Sequence, residues 1–436
     1  MPSPSSLKTA QAFLGNIPTE WVRRECTLDG VPHNEDGLRC LAANANWNGV
    51  AMLAEELSAK ISGDTLTDVA ARLRFYLVQV TAYFSMQRYA AAKKLVDALG
   101  DLGSDRFLDP ATQESVVPFS LRFISALLPS YCGAVMDTQR RLYNLLEECQ
   151  QHVGTTTGST KAETTAKTAA SMWKARLKRV QRALIVSHYE SEQYSEALRL
   201  CETTIAAEHY DDEENEDYVV MRQMLHLQQL ATLCLRCGNV FLAEDAFQAI
   251  EGLSTADESA DVQQFHRFLA ALNRALWLTF NDRIEEGASL FRDVARGTQD
   301  LCRGPANVAQ TAPNMPTVSA PRKTVTAEEK AQSALCRAAS RQLWVSAATS
   351  HLVCMLYETT QSKGPKAVMG GVIETLEEYL RHDPIGLLHS DAFLGNSVRL
   401  YTLEGDTRQK KVEMLSDLLE VFRCDRDSAP QLGKMV

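Results

Sequence analysis

Apolar residues recur along this chain at helical spacing. Between Ser171 and Ile205, Trp173, Leu177, Val180 and Leu184 follow one another at steps of four, three and four. That spacing places them on one stripe of a helix. Lys174, Lys178 and Arg182 ride on another face. A polar break at Ser191-Glu192-Gln193 precedes a second stripe of Tyr194, Ala197, Leu198, Cys201 and Ile205. Two helices joined by so short a turn lie antiparallel. Ala197, one turn into the second helix, is small enough to let two helix backbones approach.

The unit repeats. Ala92 is followed by Val96 and Leu99, Thr138 by Leu142 and Leu145, Ala243 by Phe247 and Ile250, and Gly287 by Phe291 and Val294. Val50, Ala54 and Leu57 form a weaker copy after Trp47. A small residue, a bulky one four on and an apolar one three further resemble the second half of a tetratricopeptide repeat. Positions 50, 92, 138, 197, 243 and 287 lie 42, 46, 59, 46 and 44 residues apart. The usual period is about 34, so the helices or loops here are longer. The interval of 59 contains a Thr-rich insert.

The pattern predicts an all-α chain, an α-solenoid of degenerate tetratricopeptide-like helix pairs. Eight pairs are expected, near 38–60, 67–100, 117–152, 168–206, 219–252, 263–296, 328–381 and 390–422, with no strand. The expected organisation is a polar N-terminal lead over 1–34, with one short helix around Ala10 to Leu14, then N-terminal repeats over 35–152. A Thr-rich linker over 153–167 and central repeats over 168–300 follow. Residues 301–326 read as a disordered insert, because 304–324 carry four prolines and almost no periodicity. C-terminal pairs over 327–423 and a tail over 424–436 complete the chain. Pro118 suits the first turn of a helix, and Pro129 should kink or end the same helix.

Composition narrows the function more than the fold. The net charge of −10 argues against nucleic acid as the main partner, since phosphate binding needs a basic surface. The first fifteen residues lack the apolar core of a signal peptide, and no apolar run is long enough to span a bilayer. Eleven scattered cysteines read as reduced, mostly buried thiols of a cytoplasmic chain.

No phosphate-binding loop, dinucleotide fingerprint or nucleophile elbow is present. Cys234-Leu-Arg-Cys237 is a lone pair that closes a helix, where a redox pair should open one, and zinc would need two further ligands nearby. His382, Asp383, His389 and Asp391 are the tightest titratable cluster, but they straddle a proline break. The acidic run Asp211 to Asp217 reads as a solvated loop, since it lacks the central glycine of a calcium loop. The basic run Lys174, Arg176, Lys178, Arg179 and Arg182 reads as solvent-facing charge with inter-helix ion pairs, with an acidic protein partner as the alternative, and Arg408, Lys410 and Lys411 read as a solvated basic face rather than a phosphate site. No cofactor, metal or catalytic residue is expected.

Five segments carry a more specific likeness. SMWKARLKRV (171–180), LRCLAANANW (38–47), VVPFSLR (116–122), CGNVFLAEDAFQ (237–248) and DPIGLLHSDAFLGNSVRLYTLE (383–404) resemble, in order and rough spacing, the subunit 12 family of the trafficking protein particle (TRAPP) complex. The resemblance implies a non-catalytic scaffold in a TRAPP III-type vesicle tethering and Rab-GTPase exchange complex, acting in ER-to-Golgi transport and autophagy. It implies other TRAPP subunits as partners, a Rab GTPase only indirectly, and a cytoplasmic chain peripheral at the ER-Golgi intermediate compartment and Golgi. Trp173, Arg176, Arg179, Arg182, His389, Asn396 and Tyr401 are the candidate partner interface. The rival expectations are a tetratricopeptide adaptor in ciliary transport or a chaperone system, and an enzyme built around His382, His389 and Asp391.

Overall fold

The computed structural model describes residues 2–19, 21–24, 26–110, 114–156, 163–206, 216–256, 258–302, 327–361, 365–404, 408–423 and 432. Among these it contains eighteen α-helices, two single-turn 3-10 helices and no strand. One isolated bridge joins Leu108 to Ser115. The eight expected pairs are present as α2–α3 (Glu35–Ala43, Trp47–Ala59), α4–α5 (Leu66–Ser85, Tyr89–Leu99), α6–α7 (Phe119–Tyr131, Val135–Thr156), α8–α9 (Glu163–Glu190, Tyr194–Ala206), α10–α11 (Glu216–Arg236, Val240–Glu251), α12–α13 (Ala260–Phe280, Ile284–Cys302), α14–α15 (Ala327–Gln361, Pro365–His382) and α17–α18 (Asp391–Glu404, Arg408–Phe422). Two more, α1 (Pro4–Leu14) and α16 (Pro384–Leu388), lie outside the pairs.

One turn geometry recurs in the first six pairs. Ala45, Gln87, Gly133, Glu192, Gly238 and Asp282 each adopt a positive φ, between 52° and 84°. The following N–H then reaches back to the carbonyl five residues earlier. The bonds run from Asn46 to Leu41, Arg88 to Tyr83, Ala134 to Pro129, Gln193 to His188, Asn239 to Cys234 and Arg283 to Leu278, at 2.8–3.0 Å. This is the Schellman ending, which satisfies carbonyls a helix terminus would otherwise leave open. The small position of the sequence repeat falls five residues after the left-handed one in all six pairs, and it is buried each time. At Gly287 the approach leaves no room for a side chain. A Cβ there would lie 2.4 Å from Thr279 Oγ1 and 3.1 Å from the Ala275 carbonyl. Residues with a Cβ resist the left-handed region by roughly 1–2 kcal/mol. Exposed Glu192 bears that strain, so Glu192→Gly should stabilise the chain by about 0.5 kcal/mol after glycine's entropy in the unfolded state is counted. Urea unfolding would check this; a midpoint that stays or falls contradicts it.

The chain divides into two compact units, Met1–Thr204 with Glu413–Gln431, and Ile205–Val412 with Leu432–Val436. In the first, Leu38, Leu41, Val50, Leu53 and Ala82 form one core, with Cys26 and Val31 of the lead packed into it. Leu73, Val80, Val96, Phe107, Val117, Leu121 and Leu128 form another. Pro118 precedes α6 as its N-cap, and Pro129 sits two residues before that helix ends. Pro129 has no N–H to offer the Ser125 carbonyl. Arg141 Nη1 donates to that carbonyl instead, at 3.3 Å.

The short helix expected in the polar lead is present and begins earlier, as α1 over Pro4–Leu14. Helix α1 starts at Pro4, because Ser3 caps it by accepting from the Ser6 N–H and proline suits the first turn. Buried Glu420 of α18 accepts from the Ser3 N–H (2.7 Å) and the Ser6 hydroxyl (2.9 Å). That places a carboxylate at the positive end of α1. Asp417 also accepts from the Ser6 hydroxyl (2.8 Å), and the Arg23 N–H bonds the Val421 carbonyl (2.9 Å). The start of the chain is therefore docked on a helix near its end.

The Thr-rich linker expected over 153–167 is also corrected. Residues 153–156 belong to α7 and 163–167 to α8. Glu163, Ala166 and Lys167 are good helix formers, so the helix propagates into them from the packed part of α8. Residues 157–162 lie outside the described residues. So do 207–215 of the acidic segment, 303–326 of the expected disordered insert, and the tail beyond Arg423 except Leu432.

In the second unit α12, α13 and α14 pack closely on one another, and α15, α16 and α17 on α14. Trp344 is fully buried beside Tyr379. No helix among the described residues is long and apolar enough to cross a membrane.

Candidate functional site

The basic run on α8 is solvent-facing at Lys174, Arg179 and Arg182 and half-buried at Arg176 and Lys178, and two of its arginines also lie over aromatic rings. Arg176 lies over the Trp173 ring (4.3 Å to its centroid) and the Phe119 ring (4.9 Å), and Arg179 lies over Phe123 (4.4 Å). Phe119 and Phe123 come from α6, so these arginines fasten α8 to α6 through cation–π contacts. Trp173 stacks on His152 of α7 at 3.9 Å and meets Phe119 edge-on. It is half-buried rather than a core residue of its stripe. The spacing on α8 was read correctly as helical. The aromatic platform was missed because its rings arrive from two other helices. Burial pulls the Arg176 guanidinium below its usual range, with the Arg122 charge acting in the same sense, while Cys149, Glu148 and Glu114 oppose it. Arg182 is exposed on the same helix.

Beside this platform runs a groove built from α5, α6, α7 and α8. A cavity of about 500 Å³ is lined by Phe119, Met172, Trp173, Arg176 and His152. A second, of about 550 Å³, is lined by Asp97, Asp101, Arg140, Arg141 and Asn144. Both include Arg122 and Glu148. These form a two-pronged ion pair, with Arg122 Nη1 donating to Glu148 Oε1 at 2.7 Å and the second prong closer still. The groove is thus amphipathic with balanced charge.

His389, Asn396 and Tyr401 fall in the second unit. His389 is exposed and its Nδ1 bonds the Ile385 carbonyl at 2.6 Å, closing α16. Asn396 is half-buried on α17. Tyr401 is fully buried, and burial first, then Glu377 and Glu404, push its phenol far above its usual range. A residue with no exposed surface cannot meet a partner on this fold, so Tyr401 is a core residue and is withdrawn from the interface. Lys411, expected on a solvated basic face, instead bonds buried Glu377, which Arg381 also engages at 2.9 Å. Asp383 is held by Arg341 at 2.8 Å and caps α16 through the Gly386 N–H. Among the described residues, no group of three or more His, Cys, Asp or Glu is placed to hold a metal. Cys234 is fully buried, and burial pushes the Cys237 thiol up.

His188, in the repeat of α8, is buried in a polar network. Its Nδ1 faces Gln193 Oε1 at 2.5 Å and its Nε2 faces the Tyr143 hydroxyl at 2.9 Å. The amide oxygen can only accept, so Nδ1 donates to it. Gln139 of α7 adds donors to Ser191 and Gln193. The network pins the α8–α9 turn to α7.

The structure also reveals a surface that sequence reasoning missed. Around the Schellman turns of the second, third and fourth pairs, aromatic residues gather. Tyr89 stacks on Tyr131 at 4.6 Å, Phe84 meets both edge-on, and Tyr189 lies 5.7 Å from Tyr194. Burial, then the Glu190 charge, raise the Tyr131 phenol. Tyr131 is 52%, Met136 67% and Tyr194 37% exposed. A signal was present: a bulky apolar residue follows every left-handed turn residue by two, as Trp47, Tyr89, Val135, Tyr194, Val240 and Ile284. It was read only as helix patterning.

Compared with known proteins, the chain matches no family model and no curated sequence.

Proposed function

We propose that this chain is a non-catalytic scaffold that binds other proteins through its repeats. The observation that carries the reading is the exposure of Tyr131, Met136 and Tyr194, large apolar side chains beside successive turns. Tyrosine, tryptophan, methionine and arginine are enriched where protein partners bind, and stacked helix pairs present long surfaces for several partners. The amphipathic groove beside Arg122 and Glu148 offers a second attachment point on the same unit.

The five segments resembling the TRAPP subunit 12 family make the specific assignment a scaffold of a TRAPP III-type tethering and exchange complex. Its partners would be other TRAPP subunits and, through them, a Rab GTPase. Its place would be the cytoplasmic side of the ER-Golgi intermediate compartment and Golgi. The alternative is an adaptor of another assembly, in ciliary transport or chaperone action.

Proteins co-purifying at native abundance decide between these. TRAPP subunits are expected; their absence, with a different stable set recovered, selects the alternative. The purified chain alone should leave nucleotide release from any Rab GTPase unchanged. Acceleration without core exchange subunits would overturn the scaffold reading.

A further inference from the structure

A thiol pair in the first unit carries an inference independent of the scaffold reading. Cys26 lies in the segment between α1 and α2, and Cys40 lies on α2. Their Sγ atoms are 3.2 Å apart. A disulfide needs about 2.05 Å, so the sulfurs must close by little more than about 1 Å. Cys26 is buried in the first core while Cys40 is exposed. The surroundings hold both backbones in place. Asn46 Nδ2 donates to the Cys26 carbonyl and Asn44 Nδ2 to the Cys40 carbonyl, each at 2.8 Å. Asn46 also caps α3 through the Gly49 N–H. Cys149, Cys336 and Cys354 are buried, and burial pushes their thiols up. The Cys26–Cys40 pair instead combines an accessible sulfur with a second one in contact.

We propose that Cys26 and Cys40 form a reversible intramolecular disulfide when the chain meets a peroxide. Cys40 gives up its thiol proton and its sulfur attacks one peroxide oxygen; the O–O bond breaks, the leaving hydroxide takes up that proton and departs as water, and Cys40 becomes a sulfenic acid. Cys26 sulfur then attacks the Cys40 sulfur, the S–O bond breaks, and the hydroxyl leaves as a second water with the proton from the Cys26 thiol. Two thiols are oxidised to one disulfide and one peroxide is reduced to two waters. The bond would fasten the lead to the first helix pair. Arg23, three residues before Cys26, bonds the Val421 carbonyl of α18, so the oxidised form would also hold that docking more firmly.

The test is peptide mapping of the full chain after brief treatment with hydrogen peroxide near equimolar ratio, with remaining thiols alkylated and no reductant added. A Cys26–Cys40 cross-linked peptide is expected, lost on adding dithiothreitol. Slower hydrogen exchange over 21–34 should accompany it. In Cys26→Ser the sulfenic acid on Cys40 should persist long enough to be trapped by dimedone, and in Cys40→Ser no cross-link to Cys26 should appear. Recovery of both residues as alkylated thiols, or of Cys40 only in intermolecular cross-links or as sulfinic acid, would overturn the proposal. The wild-type map decides this even if a serine variant folds poorly.

Discussion

Replacing Tyr131, Met136 and Tyr194 together by serine is expected to strip the chain of protein partners while leaving its fold standing. Met136 is 67% and Tyr131 52% exposed, but the stack of Tyr131 on Tyr89, its edge contact with Phe84 and the Tyr189–Tyr194 contact are given up, at about 0.5–1.5 kcal/mol for each aromatic pair, which a domain of ordinary stability tolerates. Binding is what should be lost. Truncating interface anchors of this type costs about 2 kcal/mol or more apiece, though not additively. A combined loss of at least about 3 kcal/mol, roughly 150-fold in affinity, is the conservative figure. The comparison is between partners recovered at native abundance with wild type and with the triple variant, followed by titration of whichever partner is lost. Hydrogen exchange of α6 to α9 should keep the wild-type pattern of protection away from the third and fourth turns. Full recovery of every partner by a folded triple variant would show that these side chains are not an interface.

Acid should loosen the second unit through His351, and His351→Gln should remove that sensitivity. His351 of α14 is 7% exposed and its Nδ1 faces the Tyr379 hydroxyl of α15 at 2.8 Å. Burial, then the charges of Arg292 and Arg296 on α13, lower its pKa to about 4, with Asp293 opposing. An unfolded histidine titrates near 6.5. The unfolded chain therefore binds more protons between these values, and stability rises with pH across that window. The contribution is fully present above about 6.5 and is lost as pH falls toward 4. Between pH 7.5 and 4.5 this amounts to about 2.5 kcal/mol. Carboxylates titrate in the same range, so the wild type must be compared with His351→Gln, whose amide can still bond Tyr379 but cannot be protonated there. Hydrogen exchange of amides in α14 and α15 reads the second unit alone. Equal pH dependence in the two proteins would refute the assignment to His351.

Helix identity and pairing were legible in the chain because both depend on local spacing. Trp173, Leu177, Val180 and Leu184 mark a helix whatever surrounds them, and all eight expected pairs appear within a few residues of their expected bounds. The repeat intervals of 42, 46, 59, 46 and 44 are also the intervals between left-handed turn residues. Spacing fixes when a turn comes and where a small side chain must follow, so periodicity alone reveals both.

The partners of individual side chains were not legible, because they depend on what arrives from distant elements. Arg176 read as solvated charge until Phe119 of α6 is placed beneath it, and exposed Arg179 gains the Phe123 ring that its own helix does not supply. Tyr401 read as an interface residue until its helix buried it completely. Lys411 read as part of a basic face until Glu377, 34 positions earlier, met it. The lead read as polar because Ser3 and Ser6 are polar; only the fold brings Glu420 to accept from them, more than four hundred positions away. A hydrogen bond or cation–π contact gains its energy from geometry across a few ångströms. Sequence sets which residue types can make it, and only the tertiary structure decides which of them meet.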